Sequence, residues 1–340
     1  MNKKQQFQKT YPGRFFLENN VKSVEAYLNR LGFLQPSEQL ISLEKPGEGN
    51  MNFVLRAITT QRSFIMKQAR PWVEKFPEIG APVERVSVEA RYFNTVGGVS
   101  SLANYSPDFL AYDAPNFILL TEDLGTGADY AYLYQVQQEL SESEVRALMH
   151  YLSALHRIAL PTGFPDNLAM RQLNHEHIFN FPFAVENGFN LDDVQEGLQV
   201  ASMAYKTNEA LKKRISAIGE RYLSKEGRHL LHGDFYPGSW LKVTDGLKII
   251  DPEFSYVGPA EFDMGVFVAH SLLTQQSNTL LAYALQQYES PASFDQPLMY
   301  QFAGVEILRR LIGIAQLPIT YDLSEKEKLM AQGMAWIEGR

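Results

Sequence analysis

Between His229 and Gly265 the chain reads HLLHGDFYPGSWLKVTDGLKIIDPEFSYVGPAEFDMG, placing His232, Asp234, Ser239, Asp251, Glu253 and Asp263 in one short, glycine-punctuated segment. Carboxylates at this density are the hard oxygen donors that hold magnesium together with substrate phosphates. Phosphoryl transfer needs positioning and charge neutralisation more than covalent chemistry, so metals, a lysine and one carboxylate to orient an attacking hydroxyl suffice. On that chemistry Asp234 faces the hydroxyl, and Asp251 and Glu253 meet the metal. The plainer reading is that these acids cap turns. The conjunction of His232-Gly233-Asp234, Asp251-Pro252-Glu253 and Phe262-Asp263-Met264-Gly265 weighs for function, with Asp263 also suited to capping a helix or bracing the loop.

The elements around these acids can be placed by pattern. Asp245-Gly246 is a two-residue hairpin signal between Trp240–Thr244 and Leu247–Ile250. With those two residues as the loop, Thr244 faces Leu247, Trp240 faces Asp251 and Ser239 faces Pro252. Val243 then faces Lys248, so a slip of register is open. Either way the hairpin returns Asp251 to the Asp234–Ser239 loop.

Upstream, residues 21–31 have helical periodicity and an extended stretch begins at Ser37. Asn52–Ile58 and Arg62–Gln68 read as strands joined by Thr59-Thr60-Gln61. Before them, Pro46-Gly47-Glu48-Gly49-Asn50 leads into a strand, which excludes a Walker-type loop because that loop needs a helix N-terminus. An ordinary hairpin turn or a loop folded over phosphate remains. Lys67 closes its strand after Phe64-Ile65-Met66, and Glu89 lies in a helix expected over 83–95. They are either surface charges or a buried ion pair that aims the lysine at phosphate oxygens.

Asn116–Leu120 is an apolar strand running into Thr121-Glu122-Asp123-Leu124-Gly125, where the domain boundary is expected, giving units 1–122 and 123–340. Beyond it the chain reads mainly helical. Ser141 and Glu144 form a capping box, and helices are expected over 194–205, 210–223, 261–273, 280–288, 297–317 and 324–337. His156 reads as a packing or helix-end residue. His175 and His177 have a metal-ligand spacing but lack neighbouring ligands.

The totals bound the function. A chain of 340 residues suits two domains. Its 45% hydrophobic and 21% charged residues describe a globular protein. No cysteine is present, which removes disulfides, thiolate metal sites and cysteine nucleophiles. A net charge of -8 argues against a nucleic-acid partner. No apolar run approaches a membrane span, and the N-terminus has no apolar signal core, so the expected location is cytoplasmic.

His232-Gly233-Asp234 with Pro237-Gly238 resembles the catalytic loop of the aminoglycoside phosphotransferase and choline kinase group, relatives of the protein kinases. More narrowly, Gly238-Ser239, Asp251-Pro252-Glu253-Phe254, Gly258-Pro259 and Phe262–Gly265 resemble the 5-methylthioribose kinase family. Similarity extends through Gly47–Asn52, Met66–Ala69, Arg171–Asn174 with His177–Phe179, and Arg309-Arg310 with Ile312-Gly313.

The resemblance implies a two-lobed α+β protein-kinase-like fold, with a small antiparallel-sheet N-lobe and a larger helical C-lobe, and ATP-dependent phosphorylation of the sugar 5-methylthioribose. Gly47, Gly49, Asn50, Lys67, Glu89, Thr121, Glu122 and Asp123 would hold ATP. Asp251, Glu253 and Ser239 would meet Mg2+. Asp234 would act with Arg309 and Arg310, which neutralise transferring phosphate or hold the sugar. Phe235-Tyr236-Pro237 departs from the family's usual leucine, histidine and threonine, and the segment from Asp251 to Arg309 is short for the family. Both departures open the question of the acceptor: another sugar, choline or an aminoglycoside. A nucleotide-binding pseudokinase and a metal-dependent phosphohydrolase are the readings from other classes, and a homodimer is left open.

Overall fold

The computed structural model describes residues 2–47, 51–135 and 138–340. The chain divides into two compact units, Met1–Thr126 and Gly127–Arg340.

The first unit contains α1 (Lys3–Thr10), α2 (Val21–Arg30), β1 (Leu40–Glu44), β2 (Phe53–Thr59), β3 (Ser63–Gln68), α3 (Arg85–Gly97), the short α4 (Ser100–Ala103), β4 (Phe109–Asp113) and β5 (Ile118–Glu122). The strands form one antiparallel sheet in the order β1-β2-β3-β5-β4. Alternation along β3 sends Phe64 and Met66 into a core shared with Leu55, Ala57, Leu120 and the α2 residues Val24, Tyr27 and Leu28. Ile65 and Lys67 therefore stand on the other face. That parity gives a strand lysine a buried position without placing it in the apolar core.

The second unit contains β6 (Ala128–Asp129), α5 (Glu142–Leu155), α6 (Leu168–His175), α7 (Leu198–Lys206), α8 (Glu209–Leu223), β7 (His229–Leu231), β8 (Trp240–Val243), β9 (Gly246–Ile249), β10 (Tyr256–Gly258), α9 (Glu261–Leu273), α10 (Asn278–Gln287), α11 (Gln296–Ile312) and α12 (Leu323–Glu338). The helix α9 is buried nearly all round. It meets α11 closely enough that a Cβ on Gly265 would lie 2.8 Å from the Met299 carbonyl oxygen. The strands are short: β7 pairs with β10, and β8 lies between β6 and β9.

The capping box at Ser141 is present, with Glu144 reciprocating, and α9 has the expected limits. Several expectations need correction. The hairpin loop is Thr244 and Asp245, not Asp245 and Gly246. Val243 pairs with Gly246 and Trp240 pairs with Ile249, a register that sets two buried apolar side chains opposite each other. Gly246 takes φ +119 at the start of the returning strand. The helix α7 begins at Leu198, after Gly197 in a left-handed conformation, and α11 stops at Ile312. Helix α1 buries only Phe7, so no apolar periodicity marks it in the sequence.

Candidate active site

The centre of the second unit is the loop after β7. Asp263, from the first turn of α9, accepts hydrogen bonds from the backbone N–H of His232 at 2.7 Å and of Gly233 at 2.9 Å. His156, at the end of α5, meets the same carboxylate through Nε2 at 3.2 Å, and its Nδ1 is 2.7 Å from the Tyr288 hydroxyl. Asp263 is thus the loop's brace, and His156 packs behind it. Gly233 has φ +85, and a Cβ there would drive into the Phe254 carbonyl, so the turn admits only glycine. The His232 ring reaches the Ile250 carbonyl at 3.0 Å, and the Ile250 N–H donates to the Ser239 carbonyl at 3.0 Å. These bonds bring the Asp251-Pro252-Glu253 turn beside the Asp234 loop.

Asp234 follows the braced turn with its side chain 23% exposed, open to a ligand. Arg310 Nη2 lies 3.6 Å and Arg309 Nη2 3.9 Å from its Oδ1. Surrounding protein pushes the Asp234 carboxyl up to about 6, against the pull of Arg310 and Arg309 and with help from Glu306 and Glu253. Both arginines are buried, and Arg310 lies over the Tyr236 ring at 4.9 Å. The two other acids differ in exposure. Asp251 is exposed in a left-handed conformation of φ 61, whereas Glu253 is buried at 5%. Asn167 Nδ2 donates to the Glu253 and Ser255 carbonyls at 2.9 and 3.0 Å, fixing the turn.

Asp251 and Glu253 are hard oxygen donors two positions apart and suit magnesium. Among the described residues no group of three acids or histidines converges as a metal cluster, so a magnesium ion there would complete its shell with phosphates and water. Ser239 is buried with its hydroxyl donating to the Asp234 carbonyl at 2.8 Å, which ties the loop shut.

The first unit carries the expected nucleotide residues. Lys67 Nζ and Glu89 Oε1 are 2.7 Å apart, their side chains 9% and 3% exposed. Thr121 is buried in β5. Glu122 accepts from the Asp108 N–H at 3.1 Å, and Asp123 pairs with Arg56 at 2.9 Å. These two acid side chains are thus engaged within their own sheet. Gly47 is described, whereas Gly49 and Asn50 lie outside the described residues.

His175 and His177 lie where α6 runs on into a π-helical turn, Glu176–Asn180. The His175 ring packs on Phe179 and Tyr222, that of His177 on Phe181. Sequence reasoning also missed Glu306, His270 and Tyr134. Glu306 precedes Arg309 and Arg310 by three and four positions, a one-face helical spacing that could have revealed it. His270, alone in an apolar helix, gave no such signal.

The profile of the phosphotransferase enzyme family matches residues 43–301. Methylthioribose kinase of Bacillus cereus is 24% identical over 332 residues, covering 83% of this chain and 81% of that protein. Methylthioribose kinase of Cronobacter sakazakii is 28% identical over 263 residues, covering 73% of this chain and 64% of that protein, so the chain spans under two thirds of that relative. Among solved structures, spectinomycin phosphotransferase bound to ADP and spectinomycin superposes with a TM-score of 0.53 at 11% identity, over 94% of this chain and 98% of that one. The choline kinase LicA of Streptococcus pneumoniae gives 0.51 at 13% identity, over 94% and 99%. At these identities the structural likeness concerns the fold, which is the two-lobed α+β arrangement of this kinase group. With its profile match extending over most of the sequence, the chain belongs to the phosphotransferase enzyme family.

Proposed function

We propose that the protein is an ATP-dependent kinase that phosphorylates a hydroxyl of 5-methylthioribose or a closely related sugar, acting in the cytoplasm. The observation that carries the acceptor class is the charge around Asp234. Two buried arginines, Arg309 and Arg310, turn their Nη2 atoms toward Asp234, and cationic heads beside the catalytic carboxylate disfavour a cationic acceptor such as choline or an aminoglycoside. The named relatives, methylthioribose kinases, support the same choice.

In this mechanism Asp234 accepts a hydrogen bond from the acceptor hydroxyl and takes its proton as the oxygen attacks the γ-phosphorus of ATP. The new O–P bond forms while the bond from γ-phosphorus to the β–γ bridging oxygen breaks, and ADP leaves. Arg309 and Arg310 neutralise charge on the transferring phosphoryl group. Lys67, oriented by Glu89, holds ATP phosphates, and Gly47, Gly49, Asn50 and Thr121–Asp123 belong to the nucleotide site. Asp251 and Glu253, with Ser239 closing the loop beside them, would hold magnesium, which supplies charge neutralisation of the phosphates.

The test is ATP consumption with 5-methylthioribose and magnesium. Turnover is expected with the native protein, and Asp234→Ala is expected to lower kcat by about 100- to 10,000-fold. A wild-type protein inert toward 5-methylthioribose and a broad sugar panel would refute the reading.

A further inference from the structure

The span matched by the family profile ends before Arg309 and Arg310, so what aims those arginines has to be read from their surroundings. Glu306, on the same face of α11, divides its carboxylate between them. Its Oε1 accepts from Arg310 Nε at 2.8 Å, and its Oε2 accepts from Arg309 Nε. Binding both side chains at Nε fixes each guanidinium plane and leaves the Nη2 atoms 3.6 and 3.9 Å from Asp234 Oδ1. Glu306 is itself held from α9: His270 Nε2 lies 2.9 Å from Oε1, and His270 Nδ1 lies 2.6 Å from the Tyr134 hydroxyl. Tyr134, His270 and Glu306 are all buried.

The protonation states agree with the geometry. Burial would push the Glu306 carboxyl up, but Arg309, Arg310 and His270 hold it well below the usual carboxylate range. Burial lowers His270 to about 4 despite Glu306. The imidazole is then neutral at physiological pH, and with Glu306 ionised and able only to accept, Nε2 carries the proton and Nδ1 accepts from Tyr134.

We propose that Glu306, locked by the buried Tyr134–His270 chain, is the positioning residue that sets both arginine heads for phosphoryl transfer. The inference rests on the kinase reading above and adds a residue that touches no substrate. An ion pair kept only for stability would be replaceable by an apolar contact of similar volume. A carboxylate split between two Nε donors instead specifies where two charges point, and a glutamine amide in its place presents N–H groups to a donor.

The test compares wild type, Glu306→Gln, Tyr134→Phe and Arg310→Gln, with and without Glu306→Gln in the last, using ATP, magnesium and 5-methylthioribose. Glu306→Gln is expected to lower kcat at least tenfold with KM for ATP changed less than about twofold, as expected for an interaction made in the transition state. Tyr134→Phe, which removes one hydroxyl, is expected to lower kcat several-fold. In the Arg310→Gln background the Glu306→Gln effect is expected to shrink, because the two act as a unit. Glu306→Gln with wild-type kcat, or an effect of undiminished size without Arg310, overturns the proposal. If Glu306→Gln does not fold, Tyr134→Phe with wild-type kcat overturns it. Wild-type turnover is measured first, so a failure there counts against the acceptor alone. Slow transfer to water, which draws on the same arginines, then supplies the readout for every variant.

Discussion

Asp234 sits between opposed influences: its surroundings raise its pKa to about 6, while Arg310 and Arg309 restrain the rise. A base must be ionised to take a proton, so kcat/KM is expected to fall as pH drops through about 6, well above the ordinary aspartate value of about 4. Arg310 is the largest influence lowering this pKa, and Arg310→Gln is therefore expected to move the acidic limb to higher pH. A pH–rate profile of the free enzyme checks both points. A limb near 4, or one that Arg310→Gln shifts downward, would show that another group limits the rate. At this scale the sequence was informative for acids in a dense motif and silent on their pKa, which depends on neighbours from α11 and the Asp251–Glu253 turn.

At the scale of elements, the catalytic loop is only as firm as its attachment to α9. Asp263 satisfies two backbone N–H groups with its two oxygens, at 2.7 and 2.9 Å. Asp263→Asn keeps one acceptor and leaves the other N–H facing an amide donor. The expected cost is about 1–3 kcal/mol, the penalty for a buried donor left unpaired. Urea denaturation measures that loss, and kcat is expected to fall with it because Asp234 follows the same turn. Unchanged stability would mean that His156, also in contact with this carboxylate, or water replaces the bond. The hairpin of β8 and β9 shows the complementary point. Its existence was legible from the turn residues, but its register followed from burying Trp240 against Ile249.

Across the whole molecule, two compact units each carry their own core and their own charged residues. In the first, the buried pair Lys67–Glu89 at 2.7 Å links β3 to α3. Neutralising Glu89 weakens one charge-assisted hydrogen bond to Lys67, of a kind worth about 1.5–3 kcal/mol. Glu89→Gln is accordingly expected to lower unfolding free energy by about 2 kcal/mol and to raise KM for ATP. Denaturant titration and steady-state kinetics check the two effects separately. A variant as stable as wild type would show that the bond to Glu89 adds nothing to stability. Among the described residues no helix is long and apolar enough to cross a membrane.

By itself the sequence determined what local rules control. Periodicity located α2 and α9, a capping box started α5 at Ser141, and alternating residues marked β2 and β3 within a residue or so. The His-Gly-Asp and Asp-Pro-Glu motifs were readable because glycine, proline and acids at fixed short spacing constrain the backbone directly. Tertiary structure alone decided which distant groups complete the site. Tyr134 meets His270 across 136 positions, and His270 meets Glu306 across 36. No periodicity encodes such pairs: His270 meets Glu306 where α9 packs closely on α11, and Tyr134 reaches His270 from the separate segment Tyr130–Tyr134.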